Sequence, residues 1–358
     1  MSIHEMLIFL MAVFAILGAL DRIAGNRLGL GKEFEEGILA MGSLAIAMIG
    51  VITLAPVLAA VLKPVVVPLF SVFGADPAMF AGSILACDMG GGSLALEMAE
   101  SRDAAMLGGI LTGSMLGATI VFTIPVSLGI LEASDRPAMA KGILCGIVTI
   151  PVGILAGGLV AGFAPLMILR NLIPIVLIAL GIAIGLWKAE QAMIRGFACF
   201  GKAVVTIITA GLAAAIFEAL TGFTLIPGMA PISEGFETVG DIAIVLAGAF
   251  PLVFVLTKLL KKPLLRLGKI LGINDTAATG LVASLANSIA TFGLVNRMDN
   301  RGKVVNIAFA VSAAFVFGDH LGFTAGFAPE MLPAMIVGKL AGGVSAVLVA
   351  LWLTKREV

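Results

Sequence analysis

Charged residues are scarce in this chain. Asp, Glu, Lys and Arg make up only 12% of its 358 residues, about half their share in a typical soluble domain. The 22 basic and 22 acidic residues cancel, so the chain has no basic field for nucleic acid. Hydrophobic residues make up 60% of the chain and mean hydropathy is +1.15, which excludes a disordered chain or a soluble enzyme. The composition predicts a polytopic membrane protein in contact with the lipid bilayer.

Cysteine and histidine are also rare, with three and two copies. Cys87, Cys145 and Cys199 all lie in apolar runs, so we expect neither a disulfide framework nor a metal site. The sequence has no P-loop, no H-E-x-x-H motif and no Ser-His-Asp setting for an intramembrane protease. We therefore predict that the protein is not an enzyme and has no catalytic residue and no cofactor.

Eleven apolar segments are long enough to enter a membrane, since a crossing takes about 20 residues. Backbone groups in lipid must be hydrogen-bonded within their own segment, which predicts an all-α polytopic membrane protein. The segments are residues 4–25, 36–62, 77–98, 104–131, 137–163, 165–188, 199–222, 236–260, 276–296, 304–327 and 333–353.

The two halves of the chain resemble each other at an offset of about 198 residues. The run P-A-M-x-x-G-x-x-x-G at 137–146 returns at 333–342, and its glycines are typical of helix packing faces. Other matched pairs are Glu36-Gly37 with Glu234-Gly235, Lys63-Pro64 with Lys262-Pro263, and Gly82 with Gly280. This predicts a first transmembrane repeat at 1–163, a connecting helix at 164–196 and a second repeat at 197–358, an organisation typical of transporters.

The orientation of the repeats depends on the third segment of each. If 77–98 and 276–296 are re-entrant hairpins, the chain has nine full crossings and the five-segment repeats are inverted. If every segment crosses, there are eleven crossings and the repeats are parallel. The first topology places 18 of the 22 Lys and Arg residues on the cytoplasmic side, whereas the second divides them 12 to 10. The positive-inside rule favours inverted repeats, with the N-terminus outside and the C-terminus in the cytoplasm.

Both proposed hairpins have polar or glycine-rich centres. The first contains Asp88 followed by Gly90 and Gly91, and three consecutive glycines disfavour a continuous helix. The second contains Asn287 and Ser288 at the matching place. Two loops entering from opposite faces would meet near the midplane, where a substrate site is expected.

Two acidic positions stand out within the apolar segments. An ionised Asp at the bilayer centre costs about 2.5–3.5 kcal/mol, which makes Asp88 the first candidate for a functional carboxylate. The alternative for Asp88 is a helix cap. Asp319 and His320 form the second polar cluster, between Gly318 and Gly322, and the alternative there is a structural pair with a base such as Lys339.

Several motifs resemble the ethanolamine permease family of bacterial ethanolamine-utilisation operons. They are F-E-E-G-x-x-A-M-G (34–42), L-A-C-D-M-G-G (85–91), I-V-F-T-I-P-V-S-L-G-I (120–130), G-I-V-T-I-P-V-G (146–153), M-D-N-R-G-K-V-V-N (298–306), A-F-A-V-S-A-A-F-V-F-G-D-H-L-G-F (308–323) and M-I-V-G-K-L-A-G-G-V (335–344). The resemblance covers nearly the whole chain and implies a bacterial inner-membrane transporter that takes up ethanolamine.

A site for the ethanolamine cation needs a carboxylate, together with hydrogen-bond partners for its hydroxyl and three N–H groups. Asp88 or Asp319 supplies the charge, and the sequence leaves the choice between them open. Asn287, Ser288, His320 and backbone carbonyls at Gly90 and Gly91 are the other predicted substrate-binding groups. A carrier for another small amine and a non-transporting membrane scaffold remain the alternatives. Energy coupling and homo-oligomer formation also stay open.

Overall fold

The computed structural model describes residues 2–356, and within that range it contains helices and turns but no β-strand. The prediction of an all-α protein is therefore confirmed. The α-helices are α1 (Ile3–Ile23), α2 (Leu30–Ser71), α3 (Ala78–Ile84), α4 (Gly91–Met98), α5 (Arg102–Met106), α6 (Ile124–Ile130), α7 (Arg136–Ile147), α8 (Ile150–Val160), α9 (Pro165–Thr221), α10 (Ile232–Leu271), α11 (Asp275–Ala286), α12 (Ser288–Phe292), α13 (Asn300–Ala313), α14 (Asp319–Phe327) and α15 (Leu332–Leu353).

Eight helical segments among the described residues are long and apolar enough to cross a membrane, which makes this a multi-pass membrane protein. Two of them come from α9, which is kinked at Ala189. Another joins α5 to α6 through π-helical turns at Leu107–Gly117 and Thr119–Thr123. The bounds predicted for the second segment, 36–62, are too short, because α2 continues through Pro56, Pro64 and Pro68. Prolines are tolerated inside membrane helices where neighbouring groups satisfy the freed backbone.

The predicted crossing at 304–327 is interrupted and is not among the eight. Its first helix, α13, ends at Ala313 and α14 begins at Asp319. Phe315, inside the break, has a φ of +63°, a left-handed conformation that is rare for a bulky residue. The N–H groups of Phe315 and Phe317 donate to the carbonyls of Ser284 (3.1 Å) and Leu285 (2.8 Å). The broken backbone is thus satisfied by the end of α11, as burial in a protein requires.

The segment 77–98 folds as a hairpin whose two ends lie side by side. Asp76, just before α3, accepts hydrogen bonds from the N–H of Ala78 (2.8 Å) and from the N–H of Glu100 (3.0 Å), which follows α4. One carboxylate therefore caps the first helix and also holds the end of the second. Between the two helices the chain turns at Leu85–Gly90, with a short 3₁₀ turn at Cys87–Met89.

The segment 276–296 has the same arrangement of its ends. Asn274 caps α11 by accepting from the N–H of Ala277 (2.8 Å), and its amide donates to the carbonyl of Arg297 (3.0 Å). The N–H of Asn274 donates to Asp299 (2.8 Å), which also caps α13. Both ends of this segment are consequently held together, as in the first hairpin.

Close helix contacts recur about 198 residues apart. An added Cβ on Gly82 would collide with the carbonyl of Gly108, and one on Gly280 would collide with the side chain of Asn306. A Cβ on Gly37 would meet the backbone of Leu246 in α10, while one on Gly235 would meet Ile49 in α2. In each pair of contacts, the two residues of the second contact lie about 198 positions away from the two residues of the first. The glycines of the 137–146 and 333–342 runs also pack closely on neighbouring helices: Gly142 on Ile307, Gly146 on Val311, Gly338 on Gly153 and Gly342 on Ser312.

Candidate functional site

A cavity of about 230 Å³ lies between α2, the tip of the first hairpin and the break before α14. Three of the residues predicted for the site, Asp88, Asp319 and His320, line it together. The remaining lining residues are Ser43, Leu44, Ala47, Ala86, Met89, Ala118, Phe122 and Phe315. The wall is thus apolar except for Ser43, two carboxylates and one imidazole, a composition suited to a small polar cation.

Asp88 sits in the turn at the tip of the first hairpin, with 15% of its side chain exposed. The turn is stabilised by a hydrogen bond from the N–H of Gly91 to the carbonyl of Ala86 (2.9 Å). Gly90 has a φ of +89°, and an added Cβ there would collide with Val51 of α2. Only glycine fits this position without strain. Gly90 and Gly91 therefore shape the tip, whereas Asp88 faces the cavity.

Asp319 and His320 begin α14, directly after the helix break. The His320 ring is 3% exposed, and its Nε2 lies 3.7 Å from Oδ1 of Asp88, beyond ordinary hydrogen-bond length. Among the described residues its Nδ1 has no hydrogen-bond partner. A buried polar nitrogen without a partner costs free energy, so His320 is suited to bind a polar ligand in the cavity.

Two aromatic side chains complete the wall. Phe122 and Phe315 pack edge to face with ring centroids 5.3 Å apart, and Phe315 also lies 5.2 Å from the ring of His320. The helix α13 ends where Ala314 takes a non-helical backbone, and the left-handed backbone of Phe315 then places this ring beside His320. Phe122 carried no sequence signal, because it is one of 21 phenylalanines in an apolar chain.

A buried lysine lies behind the cavity. Lys339 of α15 is 1% exposed, and its Nζ donates to the carbonyl of Ser114 at 2.5 Å. Its ammonium group interacts electrostatically with Asp88 and His320. Lys339 was named only in the alternative of a structural pair with the Asp319–His320 cluster, and its hydrogen-bond acceptor in the structure is a backbone carbonyl of the π-helical stretch.

Cys87, Asp88 and His320 also place one ligand atom each within 4.8 Å of one another. These residue types bind transition metals, and the ligands of a tetrahedral ion with bonds of about 2.0–2.3 Å lie about 3.3–3.8 Å apart. The trio would have to contract only slightly around an ion, but the nearby ammonium of Lys339 opposes a divalent ion more than it opposes a monovalent cation. The charges therefore suit a monovalent organic cation better than a divalent metal ion.

Asn287 and Ser288 do not line this cavity. The Asn287 side chain accepts a hydrogen bond from the N–H of Ile289 (2.8 Å) and so caps α12. Ser288 is fully buried, and its hydroxyl has no partner among the described residues. Both residues lie at the turn that follows Ala286, whose carbonyl packs against Gly318. The second hairpin thus packs against the break before α14 without lining the cavity, whereas the first hairpin supplies Asp88 to the cavity.

Comparison with known proteins gives consistent matches over the full length. The profile of the family described as "Ethanolamine utilisation protein, EutH" matches residues 3–353. A Listeria monocytogenes protein named "Probable ethanolamine permease EutH" is 60% identical over 356 residues, which cover 99% of this chain and 95% of the relative. An Escherichia coli protein of the same name is 48% identical over 395 aligned positions, covering 100% and 97%. A Bacillus subtilis protein, "Uncharacterized protein YxeR", is 52% identical, covering 100% and 96%. No solved structure matches this chain.

Proposed function

The chain belongs to the EutH family of ethanolamine utilisation proteins, and on that premise we propose that it is an ethanolamine permease of the bacterial inner membrane. The observation that carries the proposal is the meeting of Asp88, Asp319 and His320 around one small cavity. Ethanolamine is mostly a primary ammonium ion at neutral pH. It therefore needs the negative charge and the hydrogen-bond acceptors that this cavity offers.

Asp88 is the primary ligand of the ammonium group in this proposal. It stands in a turn held open by glycines, and it interacts electrostatically with Asp319, so the two carboxylates give one negative region. Charge-assisted hydrogen bonds to carboxylates are roughly twice as strong as neutral ones. An ammonium ion that donates to one oxygen of Asp88 and one oxygen of Asp319 relieves the repulsion between the two carboxylates. This relief is the physical source of affinity.

His320 is the group that recognises the hydroxyl. Its ring lines the cavity with Nε2 beside Asp88, and an imidazole nitrogen can accept a hydrogen bond from a ligand hydroxyl or donate one to it. Sites built to bond with N–H and O–H groups reject analogues that lack them. We therefore expect ethanolamine to be preferred over ethylamine, which lacks the hydroxyl, and over choline, which lacks every N–H.

The inverted-repeat topology is part of the proposal. It comprises nine full crossings and two re-entrant hairpins, with repeats at 1–163 and 197–358 and a connecting helix at 164–196. Hydrogen bonds of Asp76 and Asn274 join the two ends of each hairpin and support this topology, since each segment returns to the place where it started. The reciprocal contacts of Gly37 and Gly235 between α2 and α10 support a two-fold relation of the halves. We place the N-terminus outside and the C-terminus in the cytoplasm.

Alternating access follows from the position of the cavity in the fold. One wall is α2, through Ser43, Leu44 and Ala47, and the opposite wall is the hairpin tip with the break before α14. A movement of the hairpin-bearing bundle against α2 would open the cavity to one side at a time. This mode of action is proposed by analogy with other inverted-repeat transporters.

Uptake of radiolabelled ethanolamine by proteoliposomes tests the function. The wild-type protein should exceed empty liposomes, and Asp88→Asn should reduce uptake at least tenfold. Asp275→Asn, which changes an exposed carboxylate at the start of α11, is the matched control and should behave as wild type. Uptake no better than that of empty liposomes would overturn the proposal. Stronger competition by another amine than by unlabelled ethanolamine would reassign the substrate.

A further inference from the structure

Lys339 is a charged residue that the proposed binding of ethanolamine does not use. It is fully buried in α15, although an isolated lysine in an apolar segment is costly. Its one described hydrogen bond goes to the carbonyl of Ser114, at 2.5 Å. A lone carbonyl does not compensate a full positive charge, so the charge must be balanced from elsewhere.

The fold brings Lys339 to the back of the cavity. Ser114 follows Gly113 in the π-helical stretch, and an added Cβ on Gly113 would lie 3.1 Å from the backbone nitrogen of Cys87. Cys87 directly precedes Asp88. The ammonium group of Lys339 therefore lies behind the backbone that carries Asp88, and it interacts electrostatically with Cys87, Asp88 and His320.

The empty cavity is one positive charge short of neutrality when its ionisable groups are counted. In the ionised forms that a bound ammonium ion favours, Asp88 and Asp319 bring two negative charges and Lys339 brings one positive charge among the described residues. A second cation on the buried His320 ring is disfavoured beside Lys339. One monovalent ammonium ion would make the loaded site neutral, with no further ion needed.

We propose that the positive charge of Lys339, which is part of the protein, takes the place of a co-transported cation. The protein is then a uniporter that moves one positive charge with each ethanolamine. The inference rests on the proposed function. In this cycle the loaded site crosses as a neutral unit, and the empty site returns with one net negative charge. The membrane potential therefore acts on the return step and drives the accumulation of the cation.

The reversal potential of the ethanolamine current measures the charge carried per substrate. With a tenfold gradient of ethanolamine and equal salt and pH on both sides, one charge per substrate gives about 59 mV, whereas one accompanying monovalent cation gives about 30 mV. We expect about 59 mV for wild type, unchanged when potassium replaces sodium on both sides. A value near 30 mV, or electroneutral uptake, would overturn the proposal.

Variants at Lys339 test whether its positive charge offsets the negative charge of the carboxylates. Lys339→Met leaves two carboxylates uncompensated and should reduce uptake at least tenfold. Adding Asp319→Asn removes the excess negative charge and should raise uptake at least threefold above that of Lys339→Met alone, with reversal again near 59 mV. Lys258→Met, which changes an exposed lysine of α10, is the control and should match wild type.

Two results with the variants would overturn the inference. One is wild-type uptake by Lys339→Met, and the other is a double variant no better than Lys339→Met alone. A wild-type protein that takes up no labelled ethanolamine contradicts the proposed function itself, whereas uptake without the expected current overturns only the inference, so the two failures are distinguishable.

Discussion

Oδ1 of Asp88 lies 3.7 Å from Nε2 of His320, and the two side chains come from opposite halves of the chain. The separation is too long for a hydrogen bond between them, so each group can still bond a ligand. The two are nevertheless close enough to hold the ends of a two-carbon amino alcohol at the same time. This relationship is the basis for the first prediction.

His320→Phe should weaken the preference for ethanolamine over ethylamine. Phenylalanine keeps the aromatic packing against Phe315 but cannot bond a hydroxyl. A hydrogen bond contributes about 1 kcal/mol, so the ratio of the two inhibition constants in uptake competition should fall about fivefold or more. His4→Phe, at the start of α1, should leave the ratio unchanged, and an unchanged ratio in His320→Phe would contradict the assignment.

Gly90→Ala should destabilise the first hairpin. The left-handed backbone costs an alanine about 1–2 kcal/mol, and its Cβ would meet Val51. We expect a lower melting temperature in detergent and loss of uptake. Gly129→Ala is the control, because Gly129 lies in α6 with no atom within 4 Å of an added Cβ, and helical alanine is favoured there. Equal melting of the two variants would show that the tip geometry is not required.

Asp76→Ala should release the end of the first hairpin. The side chain is 9% exposed and accepts two backbone hydrogen bonds, and each donor left unsatisfied costs about 1–3 kcal/mol. The thermal unfolding transition should fall clearly below that of wild type. Asp241→Ala, at an exposed site of α10, should change stability by no more than about 0.5 kcal/mol. An Asp76 variant as stable as this control would show that the hydrogen bonds joining the hairpin ends do not stabilise the protein.

The topology predicts that Ser71 and Asp275 lie on opposite sides of the membrane. Both are exposed, one at the end of α2 and the other at the start of α11. In a background without Cys87, Cys145 and Cys199, an impermeant thiol reagent should label Ser71→Cys from outside and Asp275→Cys only from the cytoplasm. Labelling of both from one side would support eleven full crossings instead.

The sequence alone determined the class of the protein and indicated the candidate residues of its site. Apolar runs of membrane length dictate helices, because lipid offers no other partner for backbone groups. Asp88, Asp319 and His320 could be selected because polar residues are costly in such runs and so require a reason. Local composition was sufficient for these predictions.

Only the tertiary structure decided which of these residues meet. Asn287 was predicted to share the site with Asp88, yet its side chain caps α12, and the cavity is completed by Phe122 from the first repeat. The left-handed turn at Phe315 has no local signal, since it depends on carbonyls that α11 supplies to the broken backbone. The contact of Lys339 with Ser114 likewise depends on how α15 crosses the π-helical stretch. Sequence fixes the cost of burying each polar group, but long-range packing determines which partner offsets it.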